Sequence, residues 1–493
     1  MTSNVVNLIT KLLLPPIFLL RYGTTLYGEW IALSGAVAYL STLNFGIQTY
    51  VTQDLTVRYQ RNDMEQYHLQ QSTSLRVLLG ILGSAAVVCL VVFALPVQNW
   101  LRLTLSQRVT DLTLYLLALQ VLLGVLFGYF TGMYMVLSRA HAGVLWTNGL
   151  RLTVVLVVSA GVWMRLSFPA LASMQVGVYL LGTALVLLHL RRAAQEIFPR
   201  IGLWDRGAVA AILRPSSYFG LISMSTFLSY ELPVLILQRE AGPFVVVAFT
   251  AMRTIFSMSR LALVNPTLAL GPEITRLYGL RDWRKLTEIY RYSERLIYAL
   301  IPVVNLGVLI VSPVLLAVWL HLPGLFSVLP YVITAAISMV LSAKQLKFQF
   351  QCSTNTHEQL GRIMFTSYIA LGLITAPMVH WLGMLGFLYA WLGVEVYQFI
   401  RLIGLNQRLF EGTQAHSLSP LYRLTVVSVG GTVIAGYILA HTCTRPYSTQ
   451  FAAAIGTAVV LAVISFFLFN IRGIATAFYA LFRRRLIADD GEV

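Results

Sequence analysis

Four basic side chains stand inside otherwise apolar stretches of this 493-residue sequence: Lys11, Arg151, Arg253 and Arg260. A charge at the centre of a membrane span costs about 2.5–3.5 kcal/mol, so a residue of this kind is kept for a task or held by a partner. Arg253 and Arg260 are seven residues apart. In a helix that places them on one face, two turns or about 10 Å apart, with Ser257 on the same stripe. A guanidinium offers a fork to phosphate oxygens and a lysine ammonium acts as a point charge, so this ladder suits an anionic group of diphosphate size. Lys11 lies just ahead of Pro15-Pro16, near the middle of its stretch, and is read as part of the same cationic surface. Each has a plain alternative: Lys11 and Arg151 can snorkel to the membrane surface, and Arg253 can pair with Glu231.

The other polar residues are read the same way. Glu231 precedes Pro233 in a stripe with Ser225 and Ser229, where it serves either as an ion-coupling site or as the partner of Arg253. Arg21 and Glu29 flank a short connection and are expected to pair with each other. Glu395 is read either as the partner of Arg401, at the poor helical spacing of six residues, or as one member of a core pair whose partner is unnamed. Cys89, Cys352 and Cys443 lie far apart in apolar segments, which points to neither a disulfide framework nor a metal site.

These residues must be positioned by membrane helices. Only 11% of the residues are charged, 57% are hydrophobic and the mean hydropathy is +0.74, whereas a soluble chain carries roughly 25% charged residues. Apolar runs of about 20 residues, the length that crosses a bilayer, recur along the whole chain. About fourteen spans are expected, near 3–20, 27–50, 72–96, 111–137, 142–163, 170–190, 213–238, 243–270, 294–320, 323–348, 359–380, 383–404, 421–441 and 448–470. No small-residue cleavage site follows the first run, so it reads as a span and not as a leader. With both termini cytoplasmic, inward loops and tail hold 25 of the 35 Lys and Arg, outward loops hold six, and four fall inside spans. That bias is the positive-inside signature. It also accounts for the +16 net charge without nucleic acid.

The sequence repeats itself at an offset of 219 residues. Asp54 falls on Glu273, Thr56 on Thr275, Tyr59 on Tyr278, Asp63 on Asp282, Ser74 on Ser293, Arg76 on Arg295 and Trp30 on Phe249. Both copies lie on the same side, so the repeat is parallel. It predicts two pseudo-symmetric six-helix lobes, 1–205 and 206–408, followed by a 409–493 segment with two extra helices and a basic tail at Arg483–Arg485. Two lobes facing each other across a cleft are transporter architecture. Outward loops are too short to fold an external domain, and Glu29 and Glu240 are the only outward carboxylates of note. A membrane glycan polymerase or ligase, which needs acid–base groups on such a platform, is the weaker reading.

Arg21-Tyr-Gly-Thr-Thr-Leu-Tyr-Gly-Glu-Trp30, Tyr39 and Asn44-Phe-Gly46 resemble the opening of Wzx-type polysaccharide-biosynthesis flippases. These belong to the multidrug/oligosaccharidyl-lipid/polysaccharide exporter (MOP) superfamily. Ala251-Met-Arg253, Pro266, Glu273 and Asp282 fit the family's second half, and the likeness covers essentially the whole chain. Asn44 stands where that family commonly has Asp, which removes an ionisable group from the position. The resemblance implies a non-enzymatic transporter of the bacterial inner membrane, without cofactors. Its cargo would be an undecaprenyl-pyrophosphate oligosaccharide destined for O-antigen, capsule, exopolysaccharide or a related polymer. Besides that cargo and the membrane lipids, a glycan polymerase or ligase of the pathway is an expected partner. Lys11, Arg151, Arg253 and Arg260 would then face the diphosphate, and Ser34, Ser41, Asn44 and Gln48 the sugar hydroxyls. Multidrug efflux within the same superfamily is the alternative, although it calls for an acidic cavity where these spans are mostly basic.

Overall fold

The computed structural model describes residues 2–44, 47–137, 139–205, 207, 209, 224–354, 356, 358–410, 419–442 and 445–470. The basic tail at 483–485, Cys443 and residues 213–223 of the seventh expected span lie outside them. Among the described residues every regular element is a helix. The chain begins with α1 (Thr2–Ala38), which carries Pro15 and Pro16 and breaks at Gly23, where φ is 76° and ψ is −178°. Glycine takes that conformation without a Cβ penalty. The two expected spans 3–20 and 27–50 therefore begin as two pieces of one kinked helix. A 3₁₀ turn (Tyr39–Asn44) leads to α2 (Ile47–Gln60), α3 (Met64–Val88), α4 (Val97–Leu101), α5 (Gln107–Val136), α6 (Ala140–Trp163) and α7 (Phe168–Ala193). The second half runs through α8 (Leu232–Ala241), α9 (Pro243–Ala269), α10 (Gly271–Gly279), α11 (Trp283–Trp319), α12 (Val328–Ser353), α13 (Glu358–Leu382) and α14 (Met384–Leu409). It closes with α15 (Ser419–Thr442) and α16 (Tyr447–Leu468).

Ten of the described helical stretches are long and apolar enough to cross a bilayer. Large apolar side chains point outward from them, Leu181 on α7 at 68% exposure and Phe467 on α16 at 75%. Such surfaces belong in lipid, and the chain is an all-α polytopic membrane protein.

The 219-residue repeat reappears in the backbone. Gly23 and Gly242 have φ of 76° and 86°, Asn62 and Arg281 both 57°, and Arg102 and His321 50° and 57°. All three pairs are separated by the offset found in the sequence. Immediately after the second pair, Asp63 accepts a hydrogen bond from the Gln66 N–H and Asp282 from the Lys285 N–H. They cap α3 and α11 through equivalent side chains, satisfying a donor that the first turn leaves open. The same left-handed turn and the same cap thus open the corresponding long helix of each half.

The helices form two compact units. The first comprises Met1–Val247 and Met364–Met384, the second Ala248–Ile363 and Leu385–Val493. Inside the first, α5 packs on α6 and α7, and α1 lies on α6. Gly28 of α1 meets Pro243 so closely that a Cβ would stand 2.5 Å from the proline carbonyl oxygen. The segment after α7 is laced across α3: Gln71 Oε1 accepts the Arg200 N–H, Ser72 bonds both Leu203 backbone groups, and Thr73 Oγ1 accepts the Asp205 N–H. Inside the second, α11 packs against α12, α15 and α16, and Ile274, Leu277, Leu286, Tyr290, Leu346, Phe350 and Phe410 form a buried cluster at one end.

Candidate functional site

A buried constellation of polar residues lies in the second unit, on α11, α12 and α14. Two lysines of α12, Lys344 and Lys347, are three residues apart and buried. That spacing puts both ammonium groups on one side of the helix. Lys344 Nζ forms an ion pair with Glu395 of α14 and donates to Gln398 Oε1 at 2.6 Å. The other carboxylate oxygen of Glu395 accepts the Trp391 indole N–H at 3.0 Å. Lys347 Nζ pairs with Glu294 of α11 at 2.6 Å and donates to the Tyr290 hydroxyl at 2.7 Å. Asn406 donates to the Lys347 carbonyl at 3.3 Å. Helix α12 is therefore fastened to its neighbours by two ion pairs, each supported by neutral hydrogen-bonding groups. Charges taken out of water need that supplementary bonding.

An aromatic layer connects this quartet to α9. The Trp391 ring stacks on Phe387 at 5.5 Å, and Phe249 of α9 meets Phe387 edge-on at 5.2 Å. The Arg253 guanidinium lies 5.6 Å from the Phe249 ring centroid, within cation–π reach. Arg253 and Arg260 are both half-buried on α9, two turns apart as their spacing predicts. The Ser257 hydroxyl between them donates to the Thr254 carbonyl at 2.9 Å.

The remaining sequence-derived residues belong to the first unit. Lys11 on α1 and Arg151 on α6 are exposed, and Glu231, half-buried, precedes the first turn of α8. A Cβ at Gly35 of α1 would come within 3.2 Å of Glu231 Oε2, so the glycine gives that carboxylate its room. In the polar stretch from Ser34 to Gln48, Ser34 is half-buried, and Ser41 is exposed with its hydroxyl donating to the Ala38 carbonyl at 2.7 Å. Asn44 ends the 3₁₀ turn, and its side chain is outside what the structure describes. The Gln48 amide donates to the Val125 carbonyl and ties α2 to α5.

Two readings change, and a third is decided between its alternatives. Lys344 and Lys347, counted from sequence among cytoplasmic loop charges, are buried inside α12, which runs five residues past the expected end of its span. Ser338, Ser342 and Gln351 on the same helix are buried too. That polar periodicity was the available sequence signal. Of the two readings of Glu395, the core pair holds, with Lys344 and not Arg401 as its partner. Arg21 and Glu29 do not form the expected pair: the Arg21 guanidinium stacks 3.7 Å over the Trp163 ring, while buried Glu29 accepts the Thr104 N–H at 2.6 Å. The break at Gly23 between them sends Arg21 to α6 and Glu29 to the connection between α4 and α5. Among the described residues no group of three or more His, Cys, Asp or Glu is placed to hold a metal ion.

No protein-family model and no curated protein sequence matches the chain. Solved structures do. The chain is similar to the lipid II flippase MurJ in an inward closed conformation, with a TM-score of 0.67 and 9% identity over 98% of each chain. It is similar to the inward-facing conformation of a multidrug resistance MATE family transporter of the MOP superfamily, with a TM-score of 0.59 and 14% identity over 90% of this chain and 96% of that one. An outward-facing conformation of such a transporter matches with a TM-score of 0.58 and 13% identity, over 84% and 93%. The chain has the fold of the MOP-superfamily transporters and flippases.

Proposed function

We propose that this protein is a flippase for a lipid-linked oligosaccharide, moving an undecaprenyl-pyrophosphate glycan from the inner to the outer leaflet by alternating access. The observation that supports it best is a pair of half-buried arginines, Arg253 and Arg260, on one stripe of a membrane helix in a chain with this fold. Two guanidinium groups about 10 Å apart span a diphosphate and its first sugar. The end-to-end likeness to a lipid II flippase, which takes in α15 and α16 as well, is consistent with a lipid-borne cargo. On this reading Lys11 and Arg151 add to the cationic surface, Ser34, Ser41, Asn44 and Gln48 meet sugar hydroxyls, and Glu231 is the coupling site. The chain sits in a bacterial inner membrane with both termini cytoplasmic, and the pathway's polymerase or ligase receives the product. No covalent step is involved. An inside-negative potential favours outward movement of the anion by about 2.3 kcal/mol per charge per 100 mV.

Multidrug efflux is the second reading, favoured by the likeness to MATE transporters in two conformations. The deciding experiment removes the gene and measures both lipid-linked intermediates and dye retention. Accumulation of a diphosphate-linked oligosaccharide with loss of surface glycan supports the flippase. Unchanged glycan with increased dye retention establishes efflux instead.

A further inference from the structure

Outside the residues discussed so far, the first unit carries a long apolar groove on α6 and α7. Its walls are one stripe from each helix: Ala142, Gly149 and Thr153 on α6, and Val178, Leu185 and His189 on α7. The volume is about 570 Å³. Gly149 has nothing within 4 Å of where its Cβ would stand, so the floor is open there. From Ala142 to Thr153 the groove runs eleven residues, or about 16 Å of helix. One leaflet of a bilayer is about 15 Å of hydrocarbon, half the roughly 30 Å core. The groove therefore accommodates a single acyl chain within one leaflet. A polyprenyl carrier chain, several times longer, does not match it.

At one end the groove turns polar. His189 shares a 2.6 Å hydrogen bond with the Tyr134 hydroxyl, and Trp146 meets the His189 ring edge-on at 5.9 Å. One turn beyond His189 on the same stripe, Ala193 lines a second cavity of about 510 Å³, together with Arg139, which precedes α6. Its other polar lining is Tyr59, Gln60, Asn62 and Glu196. The Tyr59 hydroxyl donates to Glu196 Oε1 at 2.6 Å and orients that carboxylate. The lining thus offers one cation, one anion and neutral amides.

We propose that groove and cavity together bind one phosphatidylethanolamine-type lipid, its acyl chain along α6 and α7, its phosphate on Arg139 and its ammonium on Glu196. The pairing of charges selects the head group. A choline head has no N–H to give Glu196, and a glycerol head carries no cation to meet it. A phosphoethanolamine supplies a negative and a positive group in sequence, as the cavity does.

Trp146, in the groove wall, supplies the readout. The purified full-length protein, in nanodiscs of phosphatidylcholine, is titrated with lipids brominated on the acyl chain, and the quenching that is lost in Trp146→Phe is assigned to the groove. Phosphatidylethanolamine is expected to bind about fivefold tighter than phosphatidylcholine or phosphatidylglycerol with the same chains, the scale of one partly exposed ion pair. Glu196→Gln and Arg139→Gln should each bring it down to the phosphatidylcholine value. Gly149→Phe should abolish Trp146-dependent quenching by every lipid, with thermal unfolding used to show that the variant folds. Equal quenching by all three head groups overturns the proposal and makes the groove an ordinary lipid-facing surface. Preference for phosphatidylglycerol also overturns it, and would assign selection to Arg191 and Arg192, exposed at the same end. The comparison of lipids on the wild-type protein decides the matter even if a head-group variant does not fold.

Discussion

Replacing Lys344 by methionine is expected to destabilise the protein more than replacing Lys344 and Glu395 together. In the wild type the Lys344 ammonium is shared between Glu395 and Gln398, and Glu395 is fully buried. Lys344→Met leaves that carboxylate without its ammonium counter-charge, while the neutral Trp391 indole N–H still donates to it. An uncompensated buried charge costs about 3–5 kcal/mol, whereas removing both members of a buried pair is often neutral. With about 2 °C per kcal/mol, the lower end of what large single domains show, the single variant should lose about 6–10 °C in detergent. Lys344→Met with Glu395→Gln should recover most of it, because the glutamine carbonyl still accepts from Trp391. A mismatched double, Lys344→Met with Glu294→Gln, preserves the charge balance but strands Glu395 and Lys347 on different helices. It should be at least as unstable as the single variant. Thermal unfolding of the four proteins is the assay. If the mismatched double is rescued as well as the matched one, net charge and not the specific pairing is what matters, and the reasoning is wrong.

Other expectations follow from the same structure. On the flippase reading, Arg253→Ala should lower transport into liposomes at least tenfold, about 1.4 kcal/mol, with Arg253→Lys intermediate because the phosphate fork is lost but the charge kept; unchanged flipping by both would remove Arg253 from the site. The Asp282 carboxyl is held below its ordinary value chiefly by the hydrogen bond from the Lys285 N–H. A depressed folded-state value means stability that is present above the usual carboxylate range and fades as pH falls through the folded value. Asp282→Asn should therefore show a smaller loss of melting temperature on acidification than the wild type. Gly28→Ala should destabilise markedly, since its Cβ would stand 2.5–2.8 Å from Pro243 atoms, two of them backbone, whereas Gly80→Ala, with open space around it, should be neutral or slightly stabilising. Melting curves of the two variants test the contrast.

What the sequence determined by itself was local. Apolar runs of bilayer length specify helices because a backbone in hydrocarbon must satisfy its own hydrogen bonds. The 219-residue offset carried with it the glycine break at 23 and 242, the left-handed turn at 62 and 281 and the aspartate caps at 63 and 282. Such features depend on a residue and its nearest chain neighbours, so a repeat in sequence is a repeat in backbone. The stripe of Arg253 and Arg260 was legible for the same reason. The tertiary structure decided the partners. Lys344 finds Glu395 51 residues away and Lys347 finds Glu294 53 residues away, separations at which no helical spacing applies. From sequence these two lysines, at the end of the expected 323–348 span, count with the loop charges because a charge is taken as exposed. Packing of α11 and α14 against α12 makes the same charges interior by supplying the opposite ones. Arg21 and Glu29, close in sequence, went to Trp163 and Thr104 because the chain turns at Gly23 between them. Helices follow from the chain's own chemistry, while a buried charge is settled only by whichever group the fold brings within reach.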